Sequence, residues 1–184
     1  MADKNSSTFK LTTPSDREIV LERVFDAPRR PVFKAYTDPN LIPQWWGPRG
    51  FTTTVDNMHV RLGGVWRFVQ RGPDGNEYAF NGVYRGIVPP DWLAYTFACE
   101  GMPIHVLLET VTFEERDGQT KVTATALFDT VKDRDGMLKS GMKQGAAESW
   151  DRWEACSGTG RCAPRPPTRC WSRPESRRAA SRSS

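Results

Sequence analysis

The chain has 184 residues, of which 38% are hydrophobic and 11% aromatic, and its formal net charge is +4. This composition allows one folded domain with a real core, and no run of about 18 apolar residues predicts a membrane span. The polar N-terminus lacks the apolar stretch of a secretion signal, so we predict a cytoplasmic protein whose thiols are reduced.

The positive charge is concentrated at the C-terminal end. Residues 156–184, the tail, contain seven Arg and one Glu and therefore carry +6, which leaves −2 of the total for residues 1–155. The basic pI is thus no argument for a specific nucleic-acid-binding face. The tail has no Leu, Ile, Val, Met or Phe, so we predict that it is disordered. It is either a natural tail or an end that is read out of frame or derived from an expression vector.

The first elements are read from residues 1–46. Residues 1–16 are polar and predicted to be flexible, and the β-rich run 18–25 predicts a strand. Asp26 and Pro28 predict the start of a helix, with Asp26 as the N-cap and Pro28 in the first turn. A second short helix is predicted over residues 40–46.

Six further strands and a long helix follow in the prediction. Reverse turns rich in Gly, Pro and Asp separate the later strands, as in antiparallel hairpins. The strands are predicted at 51–60, 65–71, 77–88, 92–99, 104–115 and 120–129. The helix is predicted over residues 136–155, with a stripe at helical period made of Met137, Leu138, Met142, Ala146, Ser149, Trp150 and Trp153.

Several motifs together resemble one protein family. They are FDAPRRPVFKAYTDP (25–39), WWGPRGF (45–51), the turn-rich segment 62–95 and SGMKQGAAES (140–149). In this order they are similar to bacterial homologues of the activator of heat-shock-protein-90 ATPase, within the START-like (SRPBCC) superfamily. The resemblance spans about 17–155. It implies an α+β helix-grip fold, as in birch-pollen-allergen-like proteins, in which a bent antiparallel sheet of about seven strands surrounds the C-terminal helix and a cavity.

Strand alternation predicts which side chains face that cavity, because residues two apart share a face. In strand 77–88 the alternation is ambiguous, since one face would carry Phe80 and Tyr84 and the other Val83 and Ile87. The predicted cavity residues are Trp45, Trp46, Trp66, Phe68, Phe80, Tyr84, Tyr95, Phe97, His105, Leu107, Glu109, Met142 and Trp150, with Trp45, Trp46, Met142 and Trp150 closing it.

Two interpretations of these aromatic residues remain open at this point. They either line a pocket for a small apolar or amphipathic molecule, or they fill a solid core. His105 and Glu109 are the acid/base candidates on the same face, but they lie about 13 Å apart along a strand. The competing interpretation is that His105 is partly solvated and that Glu109 points outward or pairs with an Arg.

The resulting functional prediction is ligand binding in an internal cavity, and two alternatives are kept. One is a cyclase-, aromatase- or hydrolase-like enzyme, and the other is a chaperone cofactor in stress response. No cofactor is predicted, and the spacing of the cysteines in the tail fits no usual zinc site. Cys99 is predicted to be a small buried hydrophobic residue, and the protein to be a monomer or weak dimer.

Overall fold

The protein is described by a computed structural model that covers residues 9–101 and 106–158. The described part contains eight strands and four helices. The strands are β1 (Lys10–Thr12), β2 (Glu18–Phe25), β3 (Thr52–Met58), β4 (Val65–Arg71), β5 (Glu77–Val88), β6 (Trp92–Cys99), β7 (Leu107–Arg116) and β8 (Gln119–Leu127). The helices are α1 (Arg29–Thr37), α2 (Ile42–Trp45), α3 (Val131–Lys139) and α4 (Met142–Gly158).

All eight strands form one antiparallel sheet in the order β1-β2-β8-β7-β6-β5-β4-β3. Strands β3 to β8 form a meander, as the turn-rich segments between them predict, and β2 crosses over to pair with β8. The helix α4 packs on the inner face, where Phe25 of β2 contacts Trp150 and Trp153 edge to face. The fold is therefore the predicted α+β helix-grip fold.

The sequence analysis missed one strand. Residues 10–12 lie in the segment that was predicted to be flexible, but they form β1 and pair with residues 20–22 of β2. Three residues are too few to give an alternating pattern that can be recognised in a sequence. The strand therefore depends on its partner, which supplies the hydrogen bonds.

The first two helices begin later than predicted. Pro28, and not Asp26, is the N-cap of α1, and no side chain caps it. The free backbone N–H of Arg29 instead donates to Oε2 of Glu115, at 2.8 Å, on β7. A carboxylate that is distant in the sequence thus replaces the predicted local cap. The spacing of residues in the sequence could not reveal this contact. The short helix predicted over 40–46 covers only Ile42–Trp45.

The single long helix predicted over 136–155 is wrong, because the structure divides this region into α3 and α4. Thr130 is the N-cap of α3 and accepts a hydrogen bond from the backbone N–H of Asp133 at 3.1 Å. The helix ends at Ser140, and Gly141 has a φ of 83°. A left-handed glycine just after a helix is a common stop signal, so the chain turns here before α4 begins. Helix α4 also runs three residues beyond the predicted end.

The predicted strand faces are largely confirmed. Trp66, Phe68 and Gln70 of β4 are buried, while Arg71 is exposed. In β5, the pairing with β6 shifts register between Tyr84 and Gly86. This bulge resolves the ambiguity in that strand, because it allows both Tyr84 before it and Ile87 after it to pack against the core.

A candidate ligand cavity beneath the C-terminal helices

The concave face of the sheet and the α3–α4 corner line a cavity of about 420 Å³ that is partly open to the surface. This volume lies within the range of about 300–1,000 Å³ that is typical of small-molecule sites. Most of the side chains around it are apolar, and the small residues Gly145 and Ala146 on α4 leave room above the sheet. The lining residues are Leu21, Trp46, Gly47, Pro48, Gln70, Tyr78, Phe80, Phe97, Cys99, Leu107, Glu109, Ala126, Phe128, Met137, Ser140, Gly141, Met142, Gly145, Ala146 and Ser149.

A second, inner space beside the cavity is almost filled by aromatic rings. It measures about 20 Å³, which is barely enough for one water molecule. The rings pack edge to face or tilted, as in Trp66 against Phe68 at 4.8 Å between centroids and Tyr36 against Trp45 at 4.7 Å. The surrounding residues are Tyr36, Ile42, Trp45, Trp46, Trp66, Phe68, Tyr84, Tyr95 and Phe97.

The two interpretations of the aromatic residues therefore each describe part of the interior. Of the predicted cavity residues, Trp46, Phe80, Phe97, Leu107, Glu109 and Met142 line the larger cavity, whereas Trp45, Trp66, Phe68, Tyr84 and Tyr95 lie around the nearly filled space. His105 lies outside the described residues.

Two tryptophans that were predicted to close the pocket are core residues instead. Trp45 is buried, and its indole N–H donates to the backbone carbonyl of Ala35 at 3.0 Å. Trp150 is buried against Phe9 and Phe25. Both rings are fixed by contacts within the fold, and neither lines the larger cavity.

Glu109 points into the interior, which corrects the interpretation that it points outward or pairs with an Arg. It lies on β7 directly opposite Tyr95 on β6 and Ala126 on β8. The hydroxyl of Tyr95 donates to Oε1 of Glu109 at 3.1 Å. On the other side, the methyl group of Ala126 is too small to cover the carboxyl group. Within the described residues, no group donates a hydrogen bond to Oε2.

Burial changes the acidity of this carboxyl group. Desolvation raises the pKa of Glu109 to about 7, although the hydrogen bond from Tyr95 acts in the opposite direction. The same burial, together with the nearby Glu109 charge, raises the pKa of both Tyr36 and Tyr95. These tyrosines stay neutral, so among the described residues around the carboxyl group it is the ionisation of Glu109 that changes the charge near neutral pH.

One hydrogen bond between helices holds Tyr36, the second tyrosine that interacts electrostatically with the carboxyl group. The indole N–H of Trp150 on α4 donates to the hydroxyl oxygen of Tyr36 on α1, at 2.8 Å. Three elements, α1, α4 and the sheet, thus meet around Glu109. The position of this group is determined by tertiary packing, since its neighbours come from distant parts of the chain.

The segment that joins α2 to β3 fixes the near wall of the cavity against α4. The backbone N–H of Gly47 donates to Oγ of Ser149 at 3.0 Å, and Nη1 of Arg152 donates to the Gly47 carbonyl at 2.9 Å. The backbone N–H of Arg49 donates to Oε2 of Glu148 at 2.9 Å. The WWGPRG motif therefore acts as a clamp on the last helix.

Several cavity residues were missed by the sequence analysis. Cys99 is half-buried and lines the cavity, so it is not the fully buried residue that was predicted. The continuation of the Tyr95 and Phe97 face to the end of β6 could have indicated this. Gln70 lies two residues after Phe68 on β4, so strand alternation could have placed it on the same face, whereas Ala126 on β8 carried no signal that distinguishes it from core alanines.

A groove on the outer face of the sheet has a different character. It has a volume of about 550 Å³, and charged residues cross it. Arg67 donates to both carboxylate oxygens of Glu100, at 2.8 and 2.9 Å, and to Asp56 at 2.8 Å. The hydrogen bonds from Arg67 and Asn81 lower the pKa of Glu100 to about 2. Three of the charged side chains in this groove, Asp56, Arg67 and Glu100, are thus paired with one another, and because the inner cavity is the more apolar of the two spaces, we place the candidate site there.

Within residues 9–101 and 106–158, no group of three His, Cys, Asp or Glu side chains is arranged to hold a metal ion. The helices of the same ranges include none that is both long and apolar enough to cross a membrane.

Comparison with known proteins gives a family and a fold. A family model described as "Activator of Hsp90 ATPase homolog 1-like protein" matches residues 26–158. A search among curated proteins found no match.

The solved structures with similar folds come from several bacteria. A Rhodobacter sphaeroides protein has a TM-score of 0.78 at 22% identity, covering 83% of this chain and 99% of its own. An Arthrobacter aurescens protein has a TM-score of 0.76 at 23% identity, covering 82% and 91% respectively. A Silicibacter pomeroyi protein named AHSA1 has a TM-score of 0.66 at 21% identity, covering 78% and 99%. At such low identity these similarities show the fold alone.

Proposed function

The chain belongs to the activator of Hsp90 ATPase homolog 1-like family, and from this premise we propose that it binds a small apolar or amphipathic molecule in the cavity beneath α3 and α4. The observation that carries the proposal is the 420 Å³ cavity itself, which is mainly apolar and to which the described residues contribute one carboxyl group, that of Glu109. A cavity of this kind offers burial to an apolar body and one polar contact to its head.

The enzyme alternative has less support from the geometry. Acid/base catalysis needs groups within hydrogen-bond reach of the reacting atoms. Among the described residues around the cavity, the ionisable side chains are Tyr78, Cys99 and Glu109. Burial, together with the charge of Glu100, raises the pKa of Cys99, which disfavours the nucleophilic thiolate. Glu109 is hydrogen-bonded to a tyrosine and not to a second acid or base, so the arrangement favours binding.

The proposal is tested with a substitution whose side chain fills the cavity. Gly145 lines it, and a Cβ at this position would meet no heavy atom within 4 Å outside its own helix. Gly145→Leu should therefore place an isobutyl group in the open volume and abolish saturable binding of an apolar fluorescent probe. Because leucine favours helix more than glycine does, the variant should remain folded.

Gly136→Leu is the matched control. Gly136 also lies in a helix with open space around its Cβ position, but it is exposed and does not line the cavity. This variant should bind the probe as the parent protein does. Binding that persists unchanged in Gly145→Leu, or an absence of saturable binding in the parent protein, would refute the proposed function.

A further inference from the structure

The Glu109 carboxyl group in the cavity also indicates which charge a ligand should carry. The lining residues include no Lys or Arg in the part of the chain that the structure describes. The ionisable groups nearest to Glu109 are Tyr95 from β6 and Tyr36 from α1, with Tyr84 from β5 next to Tyr95. All three are neutral phenols, so the carboxylate has no counterion here.

One oxygen of this carboxyl group is available to a ligand. Oε1 accepts the Tyr95 hydroxyl, while Oε2 has no partner in the described residues. The neighbouring strand presents only the methyl group of Ala126, which itself lines the cavity. A donor on a bound molecule can therefore approach Oε2 from the cavity without displacing a protein group.

We infer that the cavity selects an amphipathic amine, whose ammonium group pairs with Glu109 while its apolar body lies against Phe80, Phe97 and Leu107. This inference rests on the proposed function, since it names the ligand class of the same site. Glu109 is half-buried among apolar and phenolic side chains. A carboxylate in such surroundings is unfavourable without a counterion, and an ammonium ion supplies both the missing charge and a donor for Oε2. A fatty acid would bring a second negative charge to the same place and is disfavoured.

The test uses three ligands with the same chain and different heads. Octylamine, octanol and octanoate compete with the bound fluorescent probe at pH 8, where Glu109 is mainly ionised. Octylamine should bind about tenfold or more tightly than octanoate, because a hydrogen bond to a charged group is stronger than a neutral one. At pH 5.5, where Glu109 is protonated, the preference should shrink.

The variant Glu109→Gln separates the charge from the shape of the site. It should lose the preference for octylamine over octanoate at pH 8. Glu114→Gln is the matched control, because Glu114 lies on the same strand but is exposed, and it should retain the preference.

The possible failures can be told apart. If neither the probe nor any of the three ligands binds to the parent protein, the proposed function fails and the inference fails with it. If the probe and octanol bind but octylamine has no advantage over octanoate, only the inference is overturned. An advantage that survives in Glu109→Gln also overturns it, because the preference would then arise elsewhere.

Discussion

The residue with the largest physical consequence is Glu109. Its alternation with Leu107 and Val111 placed it on the concave face of β7, but alternation gives only the side of the sheet. Whether a carboxyl group on that side is solvated, paired or isolated depends on the residues brought against it. The neighbours of Glu109 are two tyrosines and an alanine, and none of these side chains forms an ion pair with its carboxyl group. An unpaired carboxyl group is unusual in a hydrophobic core, so Glu109 distinguishes the cavity from the core.

Glu109 should make the unliganded protein less stable as the pH rises. Its pKa is about 7 in the folded state and about 4.5 when unfolded, so between these values the folded state binds more protons. Stability is thus highest below the unfolded pKa and falls until the pH passes 7, by up to about 3 kcal/mol. Urea unfolding between pH 4 and 8 measures this slope.

The same titration in Glu109→Gln provides the comparison. The variant lacks the ionisable group, so it should lose this part of the pH dependence and be more stable than the parent protein at pH 8. If the two proteins lose stability equally over this range, the fold does not desolvate the Glu109 carboxyl group enough to raise its pKa.

Among the secondary-structure elements, β5 depends on one residue, Gly82, for its close contact with the neighbouring strand β6. Gly82 lies before the register shift, and a Cβ there would come within 1.7 Å of the backbone carbonyl oxygen of Thr96 on β6 and 2.6 Å of Nε1 of Trp66. Only glycine permits this close approach of strands. Because the carbonyl belongs to the neighbouring strand, it cannot move without disturbing the pairing.

We expect Gly82→Ala to destabilise the protein by about 3 kcal/mol, at the upper end of the usual cost of overpacking. Gly86→Ala in the same strand is the control. There the new methyl group would meet the ring of Trp92, which is partly exposed and can rotate away. Its cost should stay below about 1 kcal/mol in urea unfolding. Equal costs would mean that the sheet adapts at Gly82 more readily than the contact implies.

The corner between α3 and α4 is the second element that shapes the cavity. Because Gly141 turns the chain, Met137 on α3 and Met142 on α4 both reach the same space. A continuous helix over these residues would follow one axis and could not cover the cavity from two sides. The error in predicting one helix therefore concerns the site as well as the secondary structure.

For the whole molecule, a buried charge network fixes α4 to the sheet. Arg23 on β2 is only 2% exposed, and its guanidinium pairs with Asp151, at 2.6 Å, and with Glu154. It also lies over the ring of Phe25, 5.5 Å from its centroid. The network joins the first long strand to the last helix, and so it connects the two ends of the described fold.

Arg23→Met should therefore destabilise the protein by about 2 kcal/mol, because it removes the buried guanidinium that hydrogen-bonds both carboxylates, while these partly exposed carboxylates can be solvated in its place. Arg67→Met is the control, since Arg67 also pairs with two carboxylates but does so on the outer face. Its effect should be much smaller, because exposed ion pairs contribute little. Urea unfolding of both variants decides the point, and an equal loss would indicate that the Arg23 network is not structurally important.

The boundary of the tail stays a prediction. Helix α4 continues to Gly158, so the first residues of the predicted tail are helical. Whether the remainder is natural or read out of frame is a question for the coding sequence of a relative.

The sequence by itself determined seven of the eight described strands, most of their faces and the family, because period-two alternation, turn residues and the WWGPRGF motif are local signals that lie next to one another in the chain. Only the tertiary structure decided which aromatic residues fill the interior and which surround a cavity. That outcome depends on the side chains that face one another across the sheet and α4, such as Glu109 with Ala126 and Gly47 with Ser149. These partners are far apart in the chain. The volume of the cavity between them depends on how closely their side chains pack, and no local sequence pattern predicts that.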